Sequence, residues 1–148
     1  MAVAGDRSWA EHARRTLDGA GHHKGAARDT IIEWLADQPC AVSAQDIEDA
    51  LRQRRRPASR ASIYRVLELL QAHRLVQRLE LGHASAVFEL VDPAGQHHHH
   101  LICDACGELL PFEDDGLEQA IQTVCGRLSF RIDDHDVILR GACQRCRA

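Results

Sequence analysis

Long apolar runs, aromatic side chains and methionine are all scarce in this sequence of 148 residues. No apolar run approaches the ~20 residues needed to cross a bilayer, so no membrane span is expected. Residues 1–15 carry charges and no apolar stretch, which argues against a secretory signal. Without export the chain is expected in the cytoplasm, where its six cysteines stay reduced. Metal ligation is then a better default than disulfide pairing. Aromatics make up 4%, so Leu, Ile, Val and Ala must do most of the packing. The length allows one modest core or two small ones in tandem. There is no HExxH helix motif and no glycine-rich phosphate loop. An enzyme is therefore not expected: catalytic zinc needs an open coordination position and a nearby general base.

Net positive charge is lacking too: the formal balance is −4. Its distribution matters more than the sum. Between Arg52 and Arg65 stand six arginines (Arg52, Arg54, Arg55, Arg56, Arg60, Arg65) and no acid, while Glu108 to Glu118 holds five acids and no base. Screening limits repulsion from acids more than ~8 Å away. A basic segment can therefore bind phosphates on a chain that is acidic overall.

Residues 1–20 show little organised periodicity and read as a loose or helical arm. Ile31, Ile32, Trp34 and Leu35 mark a short amphipathic helix from Arg28 to Asp37, ended by Gln38-Pro39. Ser43 with Asp46 three residues later resembles a capping box, with Asp in place of Glu or Gln. The helix it opens places Ala44, Ile47, Ala50 and Leu51 on one face. Pro57 breaks the chain and Ser59 can cap a third helix, in which Ile63, Val66, Leu67 and Leu70 form a buried stripe. Val76 to Leu81 and Ala86 to Leu90 are β-prone and joined by Gly82-His83-Ala84-Ser85, a hairpin signal. Three helices followed by a hairpin is the order of a winged helix-turn-helix. Arg60, Ser62, Tyr64 and Arg65 occupy the first two turns of the third helix. That is where a recognition helix reaches base edges and phosphates. An isolated charge run more often just solvates a helix end; here it opens a buried-stripe helix directly before a hairpin.

Asp92-Pro93-Ala94-Gly95 is the clearest linker signal. Beyond it the pattern predicts strands at His99 to Cys103 and around Leu109 to Phe112, then a helix from about Gly116 to Arg127. Two further strands are expected at Phe130 to Asp133 and Asp136 to Arg140. Cys103-Asp104-Ala105-Cys106 and Cys143-Gln144-Arg145-Cys146 are two C-x-x-C knuckles. Two intervening residues let both thiolates meet one tetrahedral Zn²⁺ at ~2.3 Å, and four sulfurs close the shell. Thirty-six residues separate the pairs, so the fold between must bring them together. Cys40 and Cys125 are left over, the latter on a helix as a small core residue. His97-His98-His99-His100 is internal. If extended, His97 and His99 point one way, and His98 and His100 the other. One strand can thus supply two ligands to each of two sites, with further donors available in Glu89, Glu118 and His135.

The segments Ala61 to Leu67, Val87 to Leu90, His97 to Cys103, Cys106-Gly107 and Gly141 to Cys146 together resemble the ferric uptake regulator (Fur) superfamily. The similarity runs from about Gly19 to Cys146. It implies an α+β chain with a winged-helix DNA-binding domain and N-terminal arm at 1–91, a hinge at 92–96 and a small α/β metal-binding dimerisation domain at 97–148. It implies a homodimer that binds palindromic operator DNA when loaded with a divalent metal. By the same resemblance Tyr64 and Arg65 read DNA, and Cys103, Cys106, Cys143 and Cys146 hold structural Zn²⁺. His97, His99, Glu118 and His135 would form a site within the dimerisation domain. Glu89, His98 and His100 would form the sensory site at the hinge.

Three positions depart from many iron-type members. His99 stands where an acid is common, Ala41 where a hinge-site histidine is common, and Pro111 where an acid often follows Cys106-Gly107. The hinge site is short of ligands unless Cys40, His22, His23 or His83 substitutes. Imidazole and thiolate suit Zn²⁺ better than Fe²⁺ or Mn²⁺, so the second metal is expected to be Zn²⁺ and the chain a zinc-uptake-type repressor. The rivals are an iron-, nickel- or peroxide-sensing relative, a zinc-thiol redox switch, a zinc hydrolase and a metal-storage protein. The last leaves the arginine-rich third helix unexplained.

Overall fold

The computed structural model describes residues 7–81, 85–93 and 98–147. The expected hairpin loop at 82–84, most of the 92–96 hinge and His97 lie outside the described residues. The chain divides into two compact units, 1–96 and 97–148.

The first unit opens with α1 (Arg7–Gly19), followed by α2 (Ala26–Ala36), β1 (Val42–Ser43), α3 (Ala44–Gln53), α4 (Arg60–Ala72), β2 (Val76–Leu79) and β3 (Val87–Leu90). Helix α1 selects the helical alternative for the N-terminal arm. Trp9, Ala13 and Leu17 recur at i, i+4 and i+8 and are completely buried, which is one face of a helix. The indole Nε1 of Trp9 donates to the Leu75 carbonyl at 3.0 Å, tying α1 to the far end of the helical core. Helix α3 begins with both halves of the capping box. Ser43 accepts from the Asp46 N–H, and the Asp46 carboxylate accepts from the Ser43 N–H. Ser59 caps α4 by accepting from the Ser62 N–H. Ile63, Leu67 and Leu70 of α4 are fully buried against Ile31, Ile32 and Ile47 in one cluster, each contributing about 1.5–3 kcal/mol of burial. The strands form an antiparallel sheet in the order β1-β3-β2, with Val42 opposite Phe88 and Gln77 opposite Glu89.

Four helices end in the same 6→1 and 5→2 hydrogen-bond pair with a left-handed residue between. That residue is Gly21 after α1, but Arg55, Arg74 and Ser129 after α3, α4 and α5. The usual glycine at this position is absent three times.

The second unit contains β4 (His99–Cys103), β5 (Leu109–Phe112), α5 (Asp115–Arg127) and β6 (Ile138–Gly141). Its sheet order is β5-β4-β6, with β4 antiparallel to β5 and parallel to β6. Asp114 caps α5 by accepting from the Leu117 N–H. The strand expected at Phe130 to Asp133 does not form. Both edges of β4 are taken, Phe130 is exposed, and Arg131 closes a local ion pair with Asp133 instead. Among the described residues no helix is long and apolar enough to cross a membrane.

Candidate metal centres and nucleic-acid face

The two knuckles converge as their spacing required. Cys103 ends β4, and the β4–β5 turn carries Cys106 back under it. That turn passes through Gly107 at φ 75°, whose N–H donates to the Cys103 carbonyl at 2.8 Å. Strand β6 runs parallel to β4, so its end delivers Cys143 and Cys146 to the same place. The Asp104 N–H donates to the Gly141 carbonyl at 2.8 Å and locks the two ends together. All four sulfurs lie within 4.8 Å of one another. Cys106 Sγ and Cys143 Sγ are 3.8 Å apart, the edge of a tetrahedron with bonds of about 2.3 Å. The backbone N–H groups of Cys143 and Cys106 hold the Cys103 thiol down to about 6, while the thiols of Cys143, Cys106 and Cys103 push Cys146 up to about 12. One sulfur is ready to ionise, and Cys106 and Cys146 resist following it. A divalent cation removes that conflict, so donor type, spacing and charge all fit Zn²⁺. Arg145 reaches Glu108 at 3.3 Å across the outside of the cluster.

A second donor set lies along β4 and α5. His99, fully buried, places Nε2 2.5 Å from Glu118 Oε1, and His135 places its Nε2 2.9 Å from Glu118 Oε2. The Val137 N–H donates to His99 Nδ1 at 3.3 Å, which leaves the ring proton on Nε2, facing the carboxylate. Two imidazoles on one carboxylate fit a borderline divalent ion. His97, the fourth residue expected here, lies outside the described residues.

The residues expected at the hinge divide between the units. In the second unit the rings of His98 and His100 stand 4.9 Å apart, in a group distinct from His99 as strand alternation predicts. In the first unit Glu89 is buried on β3 and accepts from Gln77 Nε2 at 3.0 Å. Sequence reasoning offered four substitutes for the missing ligand at Ala41. His83 lies outside the described residues, and pairing register favours Cys40: Val42 opposes Phe88, so the chain just before β1 runs beside Glu89. There the Cys40 sulfur and a Glu89 carboxylate oxygen lie within 4.8 Å of each other.

Helix α4 turns Arg60, Tyr64 and Arg65 outward, with Ser62 half-buried and Ile63 behind them. Tyr64 is 39% exposed and stands edge-on to Phe88 of β3 with ring centroids 6.5 Å apart, so it is propped rather than packed away. Arg60 is held by Glu48 of α3 and also donates to Gln45. No spacing signal announces that partnership, because the two helices meet only in the fold. In the second unit Leu110, Leu101 and Leu139 are cross-strand neighbours in a single row over β5, β4 and β6. They are 44%, 40% and 49% exposed.

Comparison with known proteins gives a consistent picture. Residues 20–140 match the model of the Ferric uptake regulator family. The chain is 30% identical over 136 residues to the peroxide operon regulator of Bacillus subtilis (strain 168), covering 92% of each protein. Its fold is similar to that of the Helicobacter pylori ferric uptake regulator, with a TM-score of 0.84 at 25% identity, over 95% of this chain and 93% of the other. It is also similar to the Vibrio cholerae ferric uptake regulator, with a TM-score of 0.78 at 30% identity, over 88% and 98%.

Proposed function

Because this chain belongs to the ferric uptake regulator family, we propose that it is a zinc-responsive repressor that binds palindromic operators as a homodimer in the cytoplasm. Members of this family are metal-dependent, DNA-binding transcriptional regulators and not enzymes. The relatives named above include peroxide and ferric uptake regulators, so kinship alone leaves the metal open. The zinc assignment rests on this chain's own donors.

The observation that carries the regulator reading is α4: a capped helix, anchored by Ile63, Leu67 and Leu70, whose first turns project Tyr64 and Arg65. On this reading Arg65 and Tyr64, with Ser62 and Arg60 beside them, read the major groove. Residues 1–91 form the DNA-binding domain, 92–96 the hinge and 97–148 the dimerisation domain. Cys103, Cys106, Cys143 and Cys146 hold structural Zn²⁺ and close the second unit without leaving room for a substrate. His99, Glu118 and His135, joined by His97, take a divalent ion within that unit. Glu89 of the first unit, with His98 and His100 of the second, forms the sensory site, and Cys40 supplies the ligand that Ala41 lacks. A thiolate and two imidazoles beside one carboxylate favour Zn²⁺ over Fe²⁺ or Mn²⁺. The row Leu110-Leu101-Leu139 would be covered by a second copy, since exposed apolar rows of this kind mark association surfaces.

In this mechanism a metal ion at the hinge fixes the two winged helices of the dimer at the spacing of successive major-groove faces, about 34–36 Å or a multiple. Without it only a fraction of orientations is competent, and affinity falls by that fraction. The test is DNA binding against a panel of Zn²⁺, Fe²⁺, Mn²⁺ and Ni²⁺. Zinc should promote binding at the lowest free concentration. Promotion by iron or manganese at lower free concentration than zinc would leave the regulator reading intact and end the zinc assignment.

A further inference from the structure

Two of the histidines that the metal sites proposed above leave unassigned, His22 and His73, meet in the first unit. His22 follows α1, His73 caps the end of α4, and both belong to the first unit. Their Nε2 atoms are 2.9 Å apart, with ring centroids 5.0 Å apart at 79°. Both rings are half-buried.

A hydrogen bond between two neutral imidazoles uses one proton, donated by one ring to the lone pair of the other. If the donating ring instead carries its proton on Nδ1, both Nε2 lone pairs face the space between the rings. Neighbouring positions of a square or tetragonal ion with bonds of about 2.0–2.1 Å lie about 2.9 Å apart, against about 3.3 Å for tetrahedral zinc. The observed spacing is that of a hydrogen bond, and it is also the one a tetragonal ion needs.

The backbone holds the pair in place. The His22 N–H donates to the Leu17 carbonyl at 3.1 Å to close the end of α1, and the His73 N–H donates to the Leu69 carbonyl at 3.3 Å at the end of α4. Both rings therefore hang from helix C-termini, whose dipoles favour a cation. Arg28 donates to the His22 carbonyl at 3.3 Å and to Asp18 at 3.0 Å. On the His22 side, Asp18 and Asp29 balance Lys24 and Arg28 in local ion pairs. The rings are positioned before any ion arrives.

We propose that His22 and His73 form a two-imidazole chelate for a divalent ion of tetragonal preference, Ni²⁺ or Cu²⁺, with water in the remaining positions. The ion takes the place of the shared proton, which moves to Nδ1 of the ring that donated it, so both rings stay neutral. Binding clamps the end of α1 to the end of α4, the helix whose other end carries Tyr64 and Arg65. This site is independent of the knuckles and of the hinge.

The test uses the full chain, loaded with zinc and isotopically labelled, with one equivalent of Cu²⁺ added as a paramagnetic probe. The amide signals of Leu17, Gly21, Leu70 and Leu75 should broaden in the unaltered protein. They should stay sharp in His22→Gln and in His73→Gln. The unaltered spectrum alone locates the ion, so the outcome does not depend on how well the variants fold. Broadening confined to the neighbourhood of His98, His100 and His135 overturns the proposal, as does undiminished broadening around Leu17 and Leu75 in both variants.

Discussion

Glu48 of α3 holds Arg60 of α4 through two contacts to one carboxylate oxygen, Nε at 2.9 Å and Nη2 at 2.7 Å. The other oxygen takes Arg52 at 3.1 Å. The arginine run is thus partly spoken for within the protein: Arg60 braces two helices, while Arg65 projects from the next turn. On the proposed DNA face the carboxylate also opposes phosphate. Glu48→Gln is expected to tighten DNA binding several-fold and to steepen its salt dependence by about one counterion, since one more cation becomes available. Arg65→Ala should weaken binding by tenfold or more, with metal content unchanged. Parallel salt titrations of the two variants check this. Weaker binding in Glu48→Gln would assign the pair a purely structural role.

The thiol cluster sets a pH dependence for the metal-free protein. Cys103 sits at about 6, below its ordinary 9.0, so its contribution to stability is full above 9 and lost as pH falls through 6. Cys146 sits at about 12, so its contribution is full below 9 and lost as pH rises through 12. Stability of the chelator-treated second unit should therefore peak near pH 9. With zinc bound the peak should vanish, because all four sulfurs are then metal-bound thiolates. Denaturant unfolding across that range, with and without chelator, is the measurement. Cys103→Ser should leave the second unit unfolded at neutral pH.

His99→Asp replaces one imidazole donor by a carboxylate. Affinity at the His99–Glu118–His135 site should shift from Zn²⁺ toward Fe²⁺ or Mn²⁺ by about tenfold, the scale on which changes around a metal alter binding. Competition titrations on the zinc-loaded variant read the shift. An unchanged preference would mean that His99 is no ligand and serves only Glu118.

Much of this was legible in the sequence, and the reasons are particular. Caps announce themselves locally, so Ser43 with Asp46 and Ser59 placed the starts of α3 and α4. The knuckles were legible because two intervening residues suit one metal wherever the chain goes between. Helix ends were harder, since Arg55, Arg74 and Ser129 occupy the left-handed position where glycine is the usual signal. The arm stayed open between loose and helical because two of the core contacts of α1 are alanines, Ala10 and Ala13, which carry little pattern beside Trp9 and Leu17. The pairs His22–His73 and Arg60–Glu48 and the approach of Cys40 to Glu89 depend on which elements touch. No local spacing encodes that.

The anchoring of α1 can be measured directly. Trp9→Phe removes the bond to the Leu75 carbonyl, which keeps a second donor in the Val91 N–H. The loss should be about 1 kcal/mol. Trp9→Ala should cost about 3–5 kcal/mol, because the buried ring leaves a cavity. Equal, negligible effects in thermal unfolding would show that α1 is a dispensable appendage.

The central claim is that metal controls the grip on DNA. It is tested most directly by titrating one operator, selected from a random duplex pool, at fixed salt with protein in three states. These are zinc-loaded, stripped by a chelator too weak to remove the four-thiolate zinc, and reloaded. Tight binding that falls at least tenfold on stripping and returns on reloading is the predicted result. Equal affinity in all three states would contradict it.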